Sequence, residues 1–127
     1  MSWEVLFDDE FFEEFIKLPG AVQEELGVQL KWLEHFGPQT GRPRVDTLKG
    51  SGYPNMKELR FQADDGVWRV AFAFDPKRMA ILLVAGDKSG VSEKKFYRTL
   101  IDKADARYDR HLRKFTSGSK GLKGNQR

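Results

Sequence analysis

Hydrophobic and polar positions follow three rhythms along this chain, and each change of rhythm marks a new element. "WEVLF" (3–7) alternates loosely and predicts a first strand. "DDEFFEEFIKLP" (8–19) predicts a short helix: Asp8 or Asp9 caps it, acids fill its first turn, and Pro19 stops it. Val22, Leu26, Leu30, Leu33 and Phe36 recur every three or four residues, so 20–36 is an amphipathic helix closed at Gly37-Pro38. The stretch 37–55 is rich in Gly and Pro and reads as a connector with a short strand at Val45–Lys49. Three strands follow at 56–62, 67–75 and 79–86, with turns at Asp64-Asp65-Gly66 and Asp75-Pro76. "AILLVA" is apolar at every position, which predicts a central strand covered on both faces. A last helix runs from Ser92 to about Lys114 on a stripe of Tyr97, Ile101, Ala104, Tyr108 and Leu112, widened by Phe96 and Leu100. The order predicts an α+β fold: a small antiparallel sheet of three to five strands, two N-terminal helices and one C-terminal helix.

Composition adds bounds rather than a function. With 127 residues, 39% of them hydrophobic, the chain supports one packed domain over 1–114. The segment 115–127 is basic, nearly free of apolar residues after Phe115, and predicted to be disordered. The absence of Cys suits a cytoplasmic protein without thiolate chemistry. No signal peptide is read at the start, and no apolar run approaches the roughly 20 residues of a membrane helix. Charge is unevenly spread: residues 1–41 hold nine acids against two lysines, whereas 42–127 hold twenty bases against ten acids. That asymmetry points to a polyanionic partner for the basic part, or to two ordinary solvated halves.

Charge also enters the sheet. In 67–74, Trp68, Val70, Phe72 and Phe74 share one parity and Arg69, Ala71 and Ala73 the other. Leu59 and Phe61 match the buried parity, so Glu58 and Arg60 point away from it. As a hairpin, the two strands bring Glu58, Arg60 and Arg69 onto one shallow, open face beside two small alanines. Lys57 falls on the core parity near a strand end, where its stem can reach solvent. Exposed sheet faces are ordinarily polar, and such Glu–Arg pairs are worth only tenths of a kcal/mol, so the pattern alone leaves a solvated face and a site both open.

The segment "YPNMKELRFQADDGVWRVAFAFDPKRMAILLVAGDKSG", followed by a Tyr early in the next helix, resembles the RelE/ParE superfamily of type II toxin–antitoxin toxins. It is most similar to the HigB-like, phage-associated branch through its "ELRF", "VWRVAFAF" and "ILLVAGDKSG" runs. The resemblance implies a RelE-like fold and a ribosome-dependent endoribonuclease that cleaves translated mRNA. It also implies a cognate helix-turn-helix antitoxin, with operator DNA engaged only through that antitoxin. Neither membrane nor cofactor is called for. The arginines and basic and tyrosine positions it implies for the RNA site are Arg60, Arg69, Lys88 and Tyr97; Tyr97 equally suits the helix core. Glu58 stands where RelE itself has a lysine.

RNA cleavage by attack of a 2′-OH on its own phosphate needs a base and cations on the phosphate oxygens, and can proceed without metal. Glu58, read as the only carboxylate on the face, is the candidate base, with Arg60 and Arg69 forking onto phosphate and Lys88 assisting. Around them, Lys49, Tyr53, Lys57, Lys94, Lys95 and Arg98 are candidate RNA contacts. Tyr53 beside Pro54 is either a base-stacking residue or a loop anchor, and the basic last helix is either solvated or held against ribosomal RNA. His35 and His111 lack clustered ligands and receive no metal or catalytic role. Some members of the superfamily poison DNA gyrase by binding alone, and the competing readings are such a non-hydrolytic binding toxin or a catalytically inactive relative acting in regulation.

Overall fold

The computed structural model describes the backbone of residues 2–126 and the side chains of residues 2–115. In chain order it contains β1 (Glu4–Phe7), α1 (Asp9–Phe15), α2 (Gly20–Phe36), β2 (Val45–Thr47), β3 (Met56–Ala63), β4 (Gly66–Phe74), β5 (Met79–Asp87) and α3 (Glu93–Gln126). The α+β class and the element order match the sequence reading. The last helix, expected to end near Lys114, extends in α3 to Gln126; the side chains past Phe115 lie outside the described residues.

The strands form one sheet in the order β1-β5-β4-β3-β2. Four of them are antiparallel neighbours, as their short connections require. The expectation of a wholly antiparallel sheet is corrected at β1, which runs parallel to β5 with Leu6 opposite Ile81. Two helices and three strands intervene between β1 and β5, so no tight turn dictates their relative direction. Pro19 is a second correction. The first helix ends at Phe15, and Pro19 caps the start of α2 with φ −55°. Asp8 caps α1, its carboxylate accepting the N–H groups of Glu10 and Phe11 at 3.1 Å.

Parity on β3 and β4 sorts the core into two layers. Leu59, Phe61, Trp68, Val70 and Phe72 pack with Phe11, Val22, Leu26 and Leu33 of α1 and α2. Met56, Ala71, Ala73, Ile81, Leu83 and Val84 pack with Phe96, Leu100, Ala104 and Tyr108 of α3. The central strand β5 is covered on both faces, as its unbroken apolar run predicts. The face carrying the alanines is not open. Ala71 and Ala73 are fully buried, because their small side chains let α3 lie close to the sheet and bury its own apolar stripe. Phe36 is a smaller correction: it closes the α2 pattern in sequence but is 41% exposed, stacked on Trp32.

Two local features fix where α3 begins. The β3–β4 hairpin turns on Asp64 and Asp65, both left-handed (φ 50° and 59°), a two-residue turn matched to the twist of the strands. Then β5 bulges, with Phe72 opposite Leu82 but Ala71 opposite Val84, so Leu83 is the extra residue. Just beyond, a Cβ added at Gly86 would lie 2.8 Å from Phe96 Cε1. Gly86→Ala is therefore expected to cost about 1–3 kcal/mol in urea unfolding, because the Phe96 ring and the first turns of α3 must shift. No helix among the described residues is long and apolar enough to cross a membrane.

Much of the charge asymmetry is resolved inside the fold. Acids of α1 pair with bases of α3: Arg107 with Glu14 and, at 4.0 Å, Asp8; Arg110 with Asp8 and Glu10; Lys114 with Asp9 at 3.7 Å. His111 has a structural role too, its Nε2 lying 2.9 Å from Asp75 Oδ2 and tying α3 to the β4–β5 turn.

Candidate active site

Glu58, Arg60 and Arg69 do converge. Arg60 and Arg69 are direct cross-strand partners in the β3–β4 register. Two guanidinium groups side by side repel, and Glu58 compensates them. Its Oε2 accepts from Arg60 Nη2 at 2.9 Å and Nε at 3.3 Å, and its Oε1 lies 3.6 Å from Arg69 Nε. These bonds, with the negative charge beside them, raise the Arg60 pKa above its ordinary value.

The cluster is roofed rather than open, which corrects the expected shallow face. The first turns of α3 bring the Tyr97 hydroxyl over Glu58, where it donates to Oε1 at 2.7 Å and accepts from Arg69 Nε at 3.2 Å. Glu58 is only 4% exposed in consequence. Tyr97 belongs to both readings left open by the sequence: part of the α3 packing stripe and a member of the polar cluster. Burial first, then the bond given to Glu58, raises its hydroxyl above the ordinary 10, against the N–H it accepts from Arg69. The phenol therefore keeps its proton throughout the neutral range.

Two carboxylates were missed by the sequence reading of Glu58 as alone on this face. Asp46 is the register partner of Glu58 on β2, and its Oδ2 lies 3.5 Å from Arg60 Nη2. Glu93, in the first turn of α3, holds Lys88 Nζ at 2.9 Å. That hydrogen bond is the first cause of a lowered Glu93 pKa, with the Lys88 and Arg69 charges adding to it. Asp46 is lowered as well, first by the Thr47 N–H and then by Arg60. No local pattern marks Asp46, because nothing in the sequence states that the short strand β2 adds beside Glu58; the helix-start position of Glu93 was a signal available but unused.

These residues surround a cleft of about 240 Å³ lined by Asp46, Thr47, Leu48, Lys49, Glu58, Arg60, Glu93 and Tyr97. Lys49 thus joins the cluster. Lys88 sits at its edge, its ammonium 5.9 Å from the Tyr97 ring centre. Lys94, Lys95 and Arg98 are exposed on the same end of α3. Lys57 does not join them: alternation puts it on the α2 face of β3. Nor is Tyr53 free to stack on a base. Its hydroxyl donates to Asp109 at 3.0 Å and its ring packs edge-on to Tyr108, so it anchors the connector to α3.

Chemically, the cleft offers guanidinium donors for an anion, a carboxylate able to take a proton, and a protonated phenol hydrogen-bonded to that carboxylate. In the resting geometry both Glu58 oxygens are engaged. Basic function at Glu58 requires that an incoming anion draw the arginines away.

Comparison with known proteins gives the same family and fold as the sequence resemblance. The family model described as phage-derived protein Gp49-like matches residues 13–109. HigB2 of Mycobacterium tuberculosis (strain ATCC 25618 / H37Rv), named as a candidate toxin, is 47% identical over 85 residues, which is 65% of this chain and 41% of that protein. HigB3 of the same strain, also named as a candidate toxin, is 49% identical over 80 residues, covering 63% of this chain and 68% of that protein. The chain thus spans less than half the length of the first of these relatives. Two structures of the E. coli toxin RelE share the fold. An arginine-to-alanine mutant in the free state has a TM-score of 0.55 at 18% identity, covering 81% of this chain and 97% of that one. The isolated toxin has a TM-score of 0.54 at 19% identity, covering 78% and 100%.

Proposed function

The chain belongs to the phage-derived Gp49-like family, and from that premise we propose that it is the toxin of a type II toxin–antitoxin pair, an endoribonuclease that cuts mRNA on the translating ribosome. The observation that carries this reading is the convergence of Glu58, Arg60 and Tyr97 on one cleft, with Arg69 directly behind them, bonded to Tyr97 and facing Glu58. The names of the two mycobacterial relatives support it. Its partners on this reading are mRNA, ribosomal RNA and a helix-turn-helix antitoxin, which alone contacts operator DNA.

A ribose-phosphate entering the cleft competes for the donors of Arg60 and Arg69, whose forked N–H groups suit phosphate oxygens. As those donors turn to the phosphate, a Glu58 oxygen is freed to take the 2′-OH proton. The 2′-oxygen attacks phosphorus, charge gathers on the non-bridging oxygens, and the arginines and Lys88 stabilise it. The P–O5′ bond breaks, and Tyr97 gives its proton to the departing 5′-oxygen. The 2.7 Å bond then returns a proton from Glu58 to the phenolate, leaving both groups as they began. The products are a 2′,3′-cyclic phosphate and a free 5′-OH.

The test is to incubate the purified chain with translating ribosomes and map message ends. New ends within codons that appear only with ribosomes present are expected. Intact message beside inhibited DNA supercoiling would replace this reading with the gyrase-binding one.

A further inference from the structure

The strand β5 outruns its neighbour β1. The last bond between them runs from the Asp8 N–H to the Leu82 carbonyl at 2.9 Å, after which the chain turns into α1. On the other side of β5, the Lys88 N–H reaches the Val67 carbonyl at 2.9 Å. Alternation from that bond turns the N–H and C=O of Gly86 toward β4 and those of Ala85 away from it. Arg107 takes the outward Leu83 carbonyl at 2.8 Å. Among the described residues, nothing pairs the backbone groups of Ala85.

That open edge borders an apolar groove of about 200 Å³ between β5 and α3. Buried Val84, Phe96 and Leu100 line it together with exposed Val91, and Gly86 adds no side chain to fill it. Lys95 and Lys103 line it as well; both are exposed, and neither forms an ion pair among the described residues. Lys95, Thr99, Lys103 and Arg107 recur every four residues and so make one row along α3. At the Arg107 end the protein covers this side of α3 with its own acidic helix, Glu14 pairing with Arg107 and Glu10 with Arg110. From Lys103 back to Lys95 the row faces solvent.

Three features must be met at once: an unpaired strand edge, an apolar lining and two free cations. A sugar-phosphate backbone meets the lysines alone. An extended peptide meets all three, because its own backbone pairs with the edge while alternate side chains fill the groove. Eight residues of helix separate the two lysines, about 12 Å, a span that an extended chain covers in about four residues. Residues two and four apart on a strand share a face, so acids at i and i+4 reach the lysines while i+2 enters the groove. We propose that this groove docks an extended acidic segment of a protein partner, added as a strand to the β5 edge at Ala85, with one apolar side chain set between β5 and α3 and acids on Lys95 and Lys103. The groove shares no lining residue with the cleft described above, and its occupant is independent of the nuclease reading.

The probe is a capped nonapeptide with Leu at its centre, Glu two positions to either side and Thr elsewhere, titrated onto the full chain. It is expected to bind below about 1 mM. Hydrogen exchange at the Ala85 N–H should slow about tenfold once about nine-tenths of the sites are filled. A peptide with Lys in place of both Glu should bind about tenfold more weakly, and the surface variant Lys95→Glu/Lys103→Glu should reverse that preference, which misfolding cannot imitate. No binding at about 1 mM, unchanged exchange at Ala85, or a preference that the double variant leaves in place overturns the proposal. So does a fully 2′-O-methylated RNA hexamer that slows Ala85 exchange as the peptide does, since the occupant is then RNA. A dimer of the free chain that Lys95→Glu/Lys103→Glu abolishes overturns it too, in favour of a second copy.

Discussion

Arg69→Ala is expected to abolish growth arrest when the chain is induced alone, with single-turnover cleavage on ribosomes slowed about a hundredfold to a thousandfold, the usual loss for one donor aimed at developing anionic charge. Arg69 backs the residues that line the cleft, and its Nη1 also donates to the Trp68 carbonyl at 3.0 Å. It donates to the Tyr97 oxygen at 3.2 Å, and its Nε stands 3.6 Å from Glu58. Its removal takes a cation from the phosphate and leaves Tyr97 oriented by Glu58 alone. Because Arg60 and Arg69 face each other, the substitution also relieves like-charge repulsion, so the folded state should survive it. An unchanged melting temperature beside lost cleavage is the expected pair of results. Full toxicity in Arg69→Ala and in Glu58→Gln would remove the catalytic assignment. Glu58→Gln is the better carboxylate test than Glu58→Ala, since a cavity facing two unpaired arginines would confound chemistry with folding.

The largest stability effect is expected far from the cleft, at Arg107. This residue is 6% exposed. Its Nη1 donates to Glu14 Oε1 at 2.9 Å and to the Leu83 carbonyl at 2.8 Å, and its Nη2 donates to Glu14 Oε2 at 2.6 Å. Leu83 is the extra residue of the β5 bulge, and Arg107 satisfies its carbonyl while locking α1 to α3. Arg107→Met keeps most of the side-chain bulk but orphans that carbonyl. A loss of about 2–4 kcal/mol is expected, discounted because Glu14 remains partly in solvent, with a fall in melting temperature of roughly 10 °C. The effect should depend on pH in a defined direction. The hydrogen bond from Arg107 is the first cause of a Glu14 pKa below its ordinary 4.5. A depressed carboxyl contributes stability fully above the unfolded value and loses it as pH falls through the folded one. The gap between wild type and Arg107→Met should therefore be largest near neutrality and narrow below about pH 4.5. A gap unchanged at pH 3 would mean that the carbonyl bond, rather than the ion pair, carries the effect.

The ion pairs between α1 and α3 account for part of the charge asymmetry along the chain. The acids of residues 8–14 and the bases of 107–114 read as two oppositely charged surfaces in sequence. In the fold they neutralise one another, and basic residues outside these pairs gather at the other end of α3, around Lys49, Arg60, Arg69, Lys88, Lys94 and Arg98.

What the sequence by itself determined is whatever the backbone repeats locally. The pleat makes alternate residues share a face, so Glu58, Arg60 and Arg69 fall on one side of a hairpin without reference to any tertiary contact. The helical period marked α2 and α3, and the apolar run of β5 declared a strand covered on both faces. The signature from Tyr53 to Gly90 carried the family. Only the tertiary structure decided what covers that face and what stands beside it: α3 burying Ala71 and Ala73, Tyr97 roofing Glu58, Asp46 arriving on β2, and β1 running parallel to β5. Those outcomes depend on contacts between residues far apart in the chain, such as Tyr97 with Glu58 or Asp105 with Ser51. Each is chosen by which apolar faces fit together once loops close, and no local period records that choice.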